Sequence, residues 1–239
     1  MSVISPTYNE SENVGVLIDA LGQVLKGVDY EIIISDDDSP DLTWARVQEI
    51  GRRNARVRAL RRTSNRGLSA SVIDGFSCAT GEVIACIDAD LQHDPRILPS
   101  MLEELERGAN LVVGSRYMPG GSWSHWSPIR RPVSWTATQM ATLLLGIPVK
   151  DPMSGYFMLR REDFLQIRSK LNARGFKILL EIAANMKPCV LREIPYKFRP
   201  RLAGESKLAT GVTIDYLMQL WKLSFPPLDE LEKLDELEK

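Results

Sequence analysis

The chain has 239 residues, of which 44% are hydrophobic, enough to form the core of one large domain. Its formal net charge is −1 at pH 7, which excludes a strongly basic nucleic-acid-binding surface spread over the whole protein. The three widely spaced cysteines are typical of reduced residues in a cytoplasmic protein and argue against a disulfide framework. Two histidines are too few for a histidine-based metal cluster or a Ser-His-Asp hydrolase, although one histidine could still act as a base.

Strands and helices alternate through the first half of the chain. Hydrophobic periodicity and turn residues predict strands at 2–5, 30–35, 57–61, 83–87 and 111–114, and helices at 11–26, 42–53, 67–79 and 95–107. Ser11 is expected to cap the first helix. This order predicts an α/β fold, a Rossmann-like, doubly wound and mostly parallel sheet with helices on both faces. Ligands of such sheets bind at the carboxyl ends of the strands.

The second half of the chain is less regular. The pattern predicts strands at 155–160 and 190–198, helices at 134–145 and 176–186, and an amphipathic helix at 211–225. Tryptophan favours membrane interfaces, so four tryptophans predict interfacial helices here, with ordinary core packing as the alternative: Trp123, Trp126, Trp135 and Trp221. We expect one domain at 1–225, with two halves that meet between residues 115 and 116. The repeated hexad after residue 227 is interpreted as an engineered helical tail at 226–239, with a natural charged helix as the alternative.

The apolar run at 83–87 ends in a group of oxygen-bearing side chains. Asp88, Asp90 and Gln92 occupy alternate positions where the chain leaves the predicted sheet. Carboxylate and amide oxygens at such a position are suitable ligands for Mg²⁺ or Mn²⁺, which prefer few carboxylates together with substrate phosphates. An ordinary strand-to-loop transition with solvated acids is the alternative.

Two other predicted strands also end in polar residues. Tyr8 could stack on a base, and Glu10 could bind ribose hydroxyls or an exocyclic amine. Asp36 and Asp37 could accept hydrogen bonds from a base or a ribose. No glycine-rich phosphate loop follows the first strand, which argues against a dinucleotide-dependent enzyme and a P-loop NTPase. A nucleoside diphosphate whose phosphates are held by a divalent ion fits these residues.

Several short motifs resemble those of known enzymes. The segments 6–10, 36–39, 88–92 and 114–117 are similar to inverting nucleotide-sugar glycosyltransferases of the GT-A type. More narrowly, the segments 151–157, 175–181 and 204–208 resemble dolichol- or polyprenol-phosphate mannose synthases. The resemblance extends from residue 2 to about residue 222, and it implies a GT-A fold.

The resemblance implies that 1–225 is a catalytic domain with a nucleotide-sugar and metal half at 1–115 (the donor half) and an acceptor half at 116–225. It also implies a role for each matching position. Asp88, Asp90 and Gln92 would hold Mg²⁺ or Mn²⁺. The nucleoside would be lined by four residues: Pro6, Tyr8, Glu10 and Asp37. The lipid phosphate would be received by Arg116, Arg130 and Ser134, with Arg131 beside them. Lys207 and Arg201 would close over the phosphates, although Ala203 replaces a second arginine that is common in relatives. Asp90, Arg116, Arg130 and Lys207 would carry the catalysis.

The implied reaction is transfer of mannose from GDP-mannose to a polyprenyl (dolichyl-type) phosphate at the cytoplasmic face of a membrane, with inversion. The protein would be peripheral there or truncated from a membrane-anchored parent, with no nucleic-acid partner. A phosphate monoester has a second pKa of about 6 and is largely dianionic at neutral pH, so it needs no general base. Two alternatives stay open: transfer from UDP-glucose or another UDP-sugar, and a non-catalytic nucleotide-sugar-binding protein at a membrane surface.

Overall fold

The computed structural model describes residues 1–122, 149–173, 177–186 and 188–200. Within these residues none of the helices has the length and apolar character needed to cross a membrane. The strands are β1 (Ser2–Thr7), β2 (Glu31–Asp36), β3 (Val57–Arg61), β4 (Val83–Cys86), β5 (Leu111–Ser115), β6 (Phe157–Arg160) and β7 (Leu191–Pro195). The helices are α1 (Ser11–Val24), α2 (Thr43–Arg53), α3 (Leu68–Cys78), α4 (Leu98–Glu106), α5 (Arg161–Ile167) and α6 (Ile178–Asn185).

The described strands form one sheet in the order β3-β2-β1-β4-β6-β5-β7. The β1, β2, β3 and β4 strands pair in parallel, and β7 pairs in parallel with β5. The β6 strand lies between β4 and β5 and is antiparallel to both. All strands other than β6 therefore end at the same edge of the sheet. The predicted mostly parallel α/β sheet is confirmed.

Both faces of the sheet are buried, because alternate residues of each strand belong to different hydrophobic cores. On one face Ile33 and Cys86 pack among residues of α3, α5 and α6. On the other face Ile34 and Ile87 pack among residues of α1, α2 and α4. Strands buried on both faces are typical of sheets covered by helices on each side, and this rigid support fixes the positions where the strands end.

Three details differ from the prediction. Ser11 does not cap α1: the residue before the helix is Glu10, which makes no side-chain cap bond. Instead, the backbone N–H of Ser11 donates to Asp41 Oδ2 at 2.9 Å, so the helix end is bound by the loop before α2. The α5 helix was not predicted. The predicted helix at 95–107 begins with a 3₁₀ turn, Pro95–Ile97, whose preceding Asp94 accepts a hydrogen bond from Arg96 N–H.

Candidate functional site

Polar side chains collect where the parallel strands end. The β1, β2 and β4 strands are neighbours in the sheet, so the residues that follow them share one edge. Tyr8 and Glu10 follow β1, Asp37 follows β2, and Asp88 follows β4. The structure therefore brings the predicted nucleoside-binding residues and the predicted metal ligands to the same edge of the sheet.

The two adjacent aspartates after β2 have different environments. Asp36 is fully buried, and its carboxylate accepts hydrogen bonds from Thr7 Oγ1 at 2.8 Å and from Ser39 N–H at 2.9 Å. Asp37 binds the guanidinium of Arg62 through Oδ1 and the backbone N–H of Gly67, at 2.8 Å, through Oδ2. Burial raises the pKa of Asp37 despite these bonds. Asp36 thus ties its loop to β1, whereas Asp37 is held by two residues of the segment that follows β3.

Arg62 is a residue of the site that the sequence analysis did not identify. It follows β3, is almost fully buried, and joins three segments. Besides binding Asp37, its Nε donates to Asp74 Oδ2 at 2.8 Å and its Nη2 donates to the carbonyl of Asn65 at 2.6 Å. A guanidinium that binds several acceptors in a fixed fork orients them rigidly. The pair of arginines at the end of β3 was the only signal in the sequence.

The other predicted nucleoside-binding residues lie at the end of β1. Pro6 is a buried residue within the strand, where it pairs with Ser35. Tyr8 is 41% exposed, as a base-stacking side chain requires. Glu10 is buried, and its Oε2 accepts a hydrogen bond from Asn13 Nδ2 at 2.7 Å. The Tyr8 side chain is therefore partly open to solvent, whereas the Glu10 carboxylate is held within the protein.

The loop after β4 carries the predicted metal ligands. The side chain of Asp88 is 39% exposed. Asp90 Oδ1 accepts a hydrogen bond from Gln92 N–H at 3.1 Å, which folds the loop between them. Gln92 Nε2 donates to the carbonyl of Arg199 at 3.1 Å, so the amide is tied to the segment after β7. Leu91 has a φ of 61°, a left-handed conformation that turns the loop sharply.

These residues fit a divalent ion. In the described part of the chain, no group of three or more His, Cys, Asp or Glu side chains is placed to hold a metal, so an ion here would need other ligands besides these side chains. Two carboxylates and one amide oxygen match the preference of Mg²⁺ and Mn²⁺ for few protein ligands completed by phosphate oxygens. Gly155 leaves room for the Asp88 carboxylate, since a Cβ at Gly155 would lie 2.8 Å from Asp88 Oδ2. The donor set therefore fits a metal bound together with a diphosphate.

His93 supports the loop from behind. Its Nδ1 accepts a hydrogen bond from the backbone N–H of Asp88 at 3.2 Å, which assigns the ring proton to Nε2. The ring stacks on Tyr156 with centroids 5.2 Å apart and meets the edges of Tyr196 and Phe198. Burial lowers the pKa of His93 to about 4, so the ring is neutral at pH 7. His93 is thus a support for Asp88.

Arg116 follows β5 and is held by a carboxylate. Asp151 is fully buried and accepts hydrogen bonds from Arg116 Nε at 2.8 Å, Nη2 at 2.7 Å and backbone N–H at 3.0 Å. Burial disfavours the charged guanidinium, but the ion pair with Asp151 outweighs it and raises the pKa of Arg116. The guanidinium also lies near the rings of Phe198 and Tyr117. The orientation of Arg116 is therefore fixed by Asp151, which the sequence marks only as part of the 151–157 motif.

The remaining predicted residues lie outside the described part of the chain, and their roles stay predictions. They are Arg130, Arg131, Ser134, Arg201 and Lys207. The same holds for the tryptophans Trp123, Trp126, Trp135 and Trp221, for the amphipathic interfacial helices and for the proposed tail at 226–239. The division of the chain into a donor half and an acceptor half likewise stays a prediction.

The fold and these residues define a class of protein: a doubly wound α/β domain with the GT-A fold, whose strand ends present polar groups suited to a nucleoside diphosphate and a metal. The family model Glycosyl transferase family 2 matches residues 2–168, and the chain belongs to this family. The predicted fold class is confirmed.

Similar proteins agree with the narrower resemblance. Dolichol-phosphate mannosyltransferase of Pyrococcus furiosus is 41% identical over 225 residues, covering 93% of this chain and 63% of that protein. Dolichol-phosphate mannosyltransferase of Saccharomyces cerevisiae is 38% identical over 232 residues, covering 93% of this chain and 86% of that protein. Polyprenol monophosphomannose synthase of Mycolicibacterium smegmatis is 35% identical, covering 87% of this chain and 80% of that protein. The resemblance inferred from the motifs is confirmed.

Solved structures show the same fold at lower identity. Glucosyl-3-phosphoglycerate synthase from Mycobacterium tuberculosis, in complex with Mn²⁺, uridine-diphosphate-glucose and phosphoglyceric acid, superposes with a TM-score of 0.70 at 19% identity. The superposition covers 95% of this chain and 80% of that one. A complex of the same enzyme with uridine diphosphate also gives a TM-score of 0.70.

Proposed function

We propose that the protein transfers mannose from GDP-mannose to a polyprenyl (dolichyl-type) phosphate with inversion, giving polyprenyl-phosphate β-mannose and GDP. One structural observation carries this proposal: three groups lie along one edge of the sheet. They are Asp37 bound to Arg62 after β2, the Asp88 loop with its two carboxylates after β4, and an oriented Arg116 after β5. The three relatives at 35–41% identity, all named as mannose-transferring enzymes, support mannose and the lipid phosphate.

The donor half would bind the nucleoside and the diphosphate. Tyr8 is exposed for stacking on the base, and Asp37 would accept hydrogen bonds from the base or ribose while Arg62 holds it. Asp88, Asp90 and Gln92 would hold Mg²⁺ or Mn²⁺. A divalent ion at this position would neutralise the charge of the departing diphosphate. The Mn²⁺ in the complex of the mycobacterial glucosyl-3-phosphoglycerate synthase supports a divalent ion in this fold.

The acceptor chemistry suits the residues present. A dianionic phosphate monoester is already a nucleophile, so proton removal by a side chain is unnecessary. His93 is neutral and buried among aromatic rings, consistent with a supporting role. Attack on the anomeric carbon from the side away from the diphosphate would invert an α-linked donor into a β-linked product. The main requirement is to hold two anionic substrates close together, which cationic side chains provide.

Arg116 would supply part of that charge. Asp151 accepts hydrogen bonds from Nε and Nη2 of Arg116 and so fixes the direction in which the guanidinium points. We propose that Arg116 contacts the acceptor phosphate together with Arg130, Arg131 and Ser134, and that Arg201 and Lys207 close over the phosphates. Because the acceptor is a membrane lipid, the reaction would occur at a membrane surface, and we place it at the cytoplasmic face.

The experiment is transfer of radiolabelled mannose from GDP-mannose to a polyprenyl phosphate in detergent, with Mn²⁺, with Mg²⁺ and with EDTA. Label in the lipid phase that EDTA abolishes is the expected result. The Asp90→Asn variant should lose transfer, whereas Glu49→Gln, which changes an exposed ion pair with Arg53, should not. Transfer from UDP-glucose and not from GDP-mannose would overturn the donor. Nucleotide binding without transfer from any donor would favour a binding protein.

A further inference from the structure

Glu193 makes an unusual pair of contacts on the last described strand. It lies in β7, opposite Val113 of β5, and is partly buried. Its Oε2 accepts a hydrogen bond from the backbone N–H of Lys150 at 3.0 Å, and its Oε1 accepts one from the backbone N–H of Asp151 at 3.1 Å. Both oxygens of one carboxylate therefore hold two successive peptide groups.

The segment that Glu193 holds is the one that orients Arg116. Asp151 is fully buried and binds Nε, Nη2 and the backbone N–H of Arg116. A rotation of the Asp151 peptide would move this carboxylate relative to the guanidinium. The chain of contacts therefore runs from β7, through the backbone of Asp151, to the side chain that follows β5.

These contacts are additional to those that fix the strands. The β5 and β7 strands already pair from Leu111 to Ser115, and the backbone N–H of Tyr196 donates to the carbonyl of Ser115 at 3.2 Å. Burial raises the pKa of Glu193, and the nearby negative charge of Asp151 adds to this effect. The two backbone hydrogen bonds offset part of the repulsion between the carboxylates of Glu193 and Asp151. It is the geometry, with each oxygen of Glu193 bound to one of two successive N–H groups, that favours a role in orientation.

We propose that Glu193 is a positioning residue for the acceptor phosphate: by holding the peptide of Asp151, it fixes the guanidinium of Arg116. This inference rests on the proposed function, which assigns the acceptor phosphate to Arg116. It predicts that Glu193 affects the use of the acceptor and leaves binding of the donor unchanged, because Asp37 and Arg62 lie at strand ends on the other side of β4.

The test compares Glu193→Gln with the matched control Glu103→Gln, whose side chain is 58% exposed on α4. Glutamine keeps the size of glutamate, but its NH₂ group cannot accept a backbone N–H. We expect kcat/KM for polyprenyl phosphate to fall about tenfold, the scale of one lost charge-assisted hydrogen bond. The KM for GDP-mannose should change by less than about twofold, and the control should match the unsubstituted protein on both measures.

A double-mutant cycle shows whether the effect passes through Arg116. Arg116→Lys and Glu193→Gln should be strongly non-additive in kcat/KM for the acceptor, because the second substitution removes little once the fork is gone. Additive effects, an unchanged acceptor kcat/KM, or an equal loss in donor and acceptor use would overturn the inference. If Glu193→Gln does not bind GDP as the unsubstituted protein does, Glu193→Asp, which keeps the charge, takes its place with the same criteria. Absence of any transfer by the unsubstituted protein would refute the proposed function itself, and the inference with it.

Discussion

Replacing Asp151 by asparagine tests the buried ion pair with Arg116. Asp151 is fully buried and Arg116 is 6% exposed, so the substitution leaves a buried guanidinium beside a neutral amide. Removing one partner of a buried, hydrogen-bonded ion pair costs about 3 kcal/mol or more, since the other charge then lacks compensation. In a chain of this size, a loss of about 3 kcal/mol lowers Tm by about 6 to 12 °C.

The assay is urea unfolding followed by circular dichroism, with thermal unfolding as a second measure. The matched control is Asp38→Asn, which weakens partly exposed ion pairs with Arg61 and Arg66 and should cost less than about 1 kcal/mol. Asn tolerates the left-handed conformation of Asp38, whose φ is 56°. Equal losses below about 1 kcal/mol in both variants would refute the reasoning that burial makes the Asp151 pair important.

Three further predictions concern the donor half. Gly155→Ala would place a Cβ 2.8 Å from Asp88 Oδ2 and so displace this carboxylate. We expect the affinity for Mn²⁺, measured by calorimetric titration, to fall at least about tenfold. An unchanged affinity would show that Asp88 is not a metal ligand. Arg62→Lys loses the fork that holds Asp37, so GDP binding should weaken about tenfold; wild-type affinity would contradict the positioning of Asp37. The pKa of His93, about 4, lies below its ordinary 6.5, so the stability that the neutral ring contributes is complete above pH 6.5 and is lost as pH falls towards 4. Between pH 6.5 and pH 4 the free energy of unfolding of the unsubstituted protein should fall by about 3 kcal/mol more than that of His93→Phe, measured by urea unfolding at several pH values. Parallel pH profiles of the two proteins would show that the ring is not buried in its neutral form.

The regular elements of the first half could be predicted because their signals are local. Strands such as β2 and β4 are short apolar runs that end in aspartates, and α1 and α2 carry amphipathic patterns between turn residues. The observed bounds differ from the predicted ones by at most two residues, except that α4 begins three residues later, after the 3₁₀ turn. The predicted capping of α1 by Ser11 was wrong because the start of the helix is bound by a distant loop. Thr43 accepts from the N–H of Glu10 and Asp41 accepts from the N–H of Ser11, and both are about thirty residues away in sequence.

The site could be predicted only in part for the same reason. Asp88 and Asp90 are close in sequence at the end of a buried strand, so their position at the sheet edge followed from the pattern. The orientation of Asp37 depends on Arg62, and that of Arg116 depends on Asp151 and Glu193, none of which is a sequence neighbour of the side chain it orients. Pairing between distant charged residues leaves no periodic signal.

The sequence by itself determined the alternation of strands and helices, the edge of the sheet where ligands would bind and the resemblance to glycosyltransferases, because hydrophobic period, turn chemistry and short motifs are properties of neighbouring residues. Only the tertiary structure decided that β6 enters the sheet antiparallel between β4 and β5, and that a buried aspartate fixes Arg116. Strand order and ion pairing depend on which distant segments pack together, and packing is a property of the folded chain as a whole.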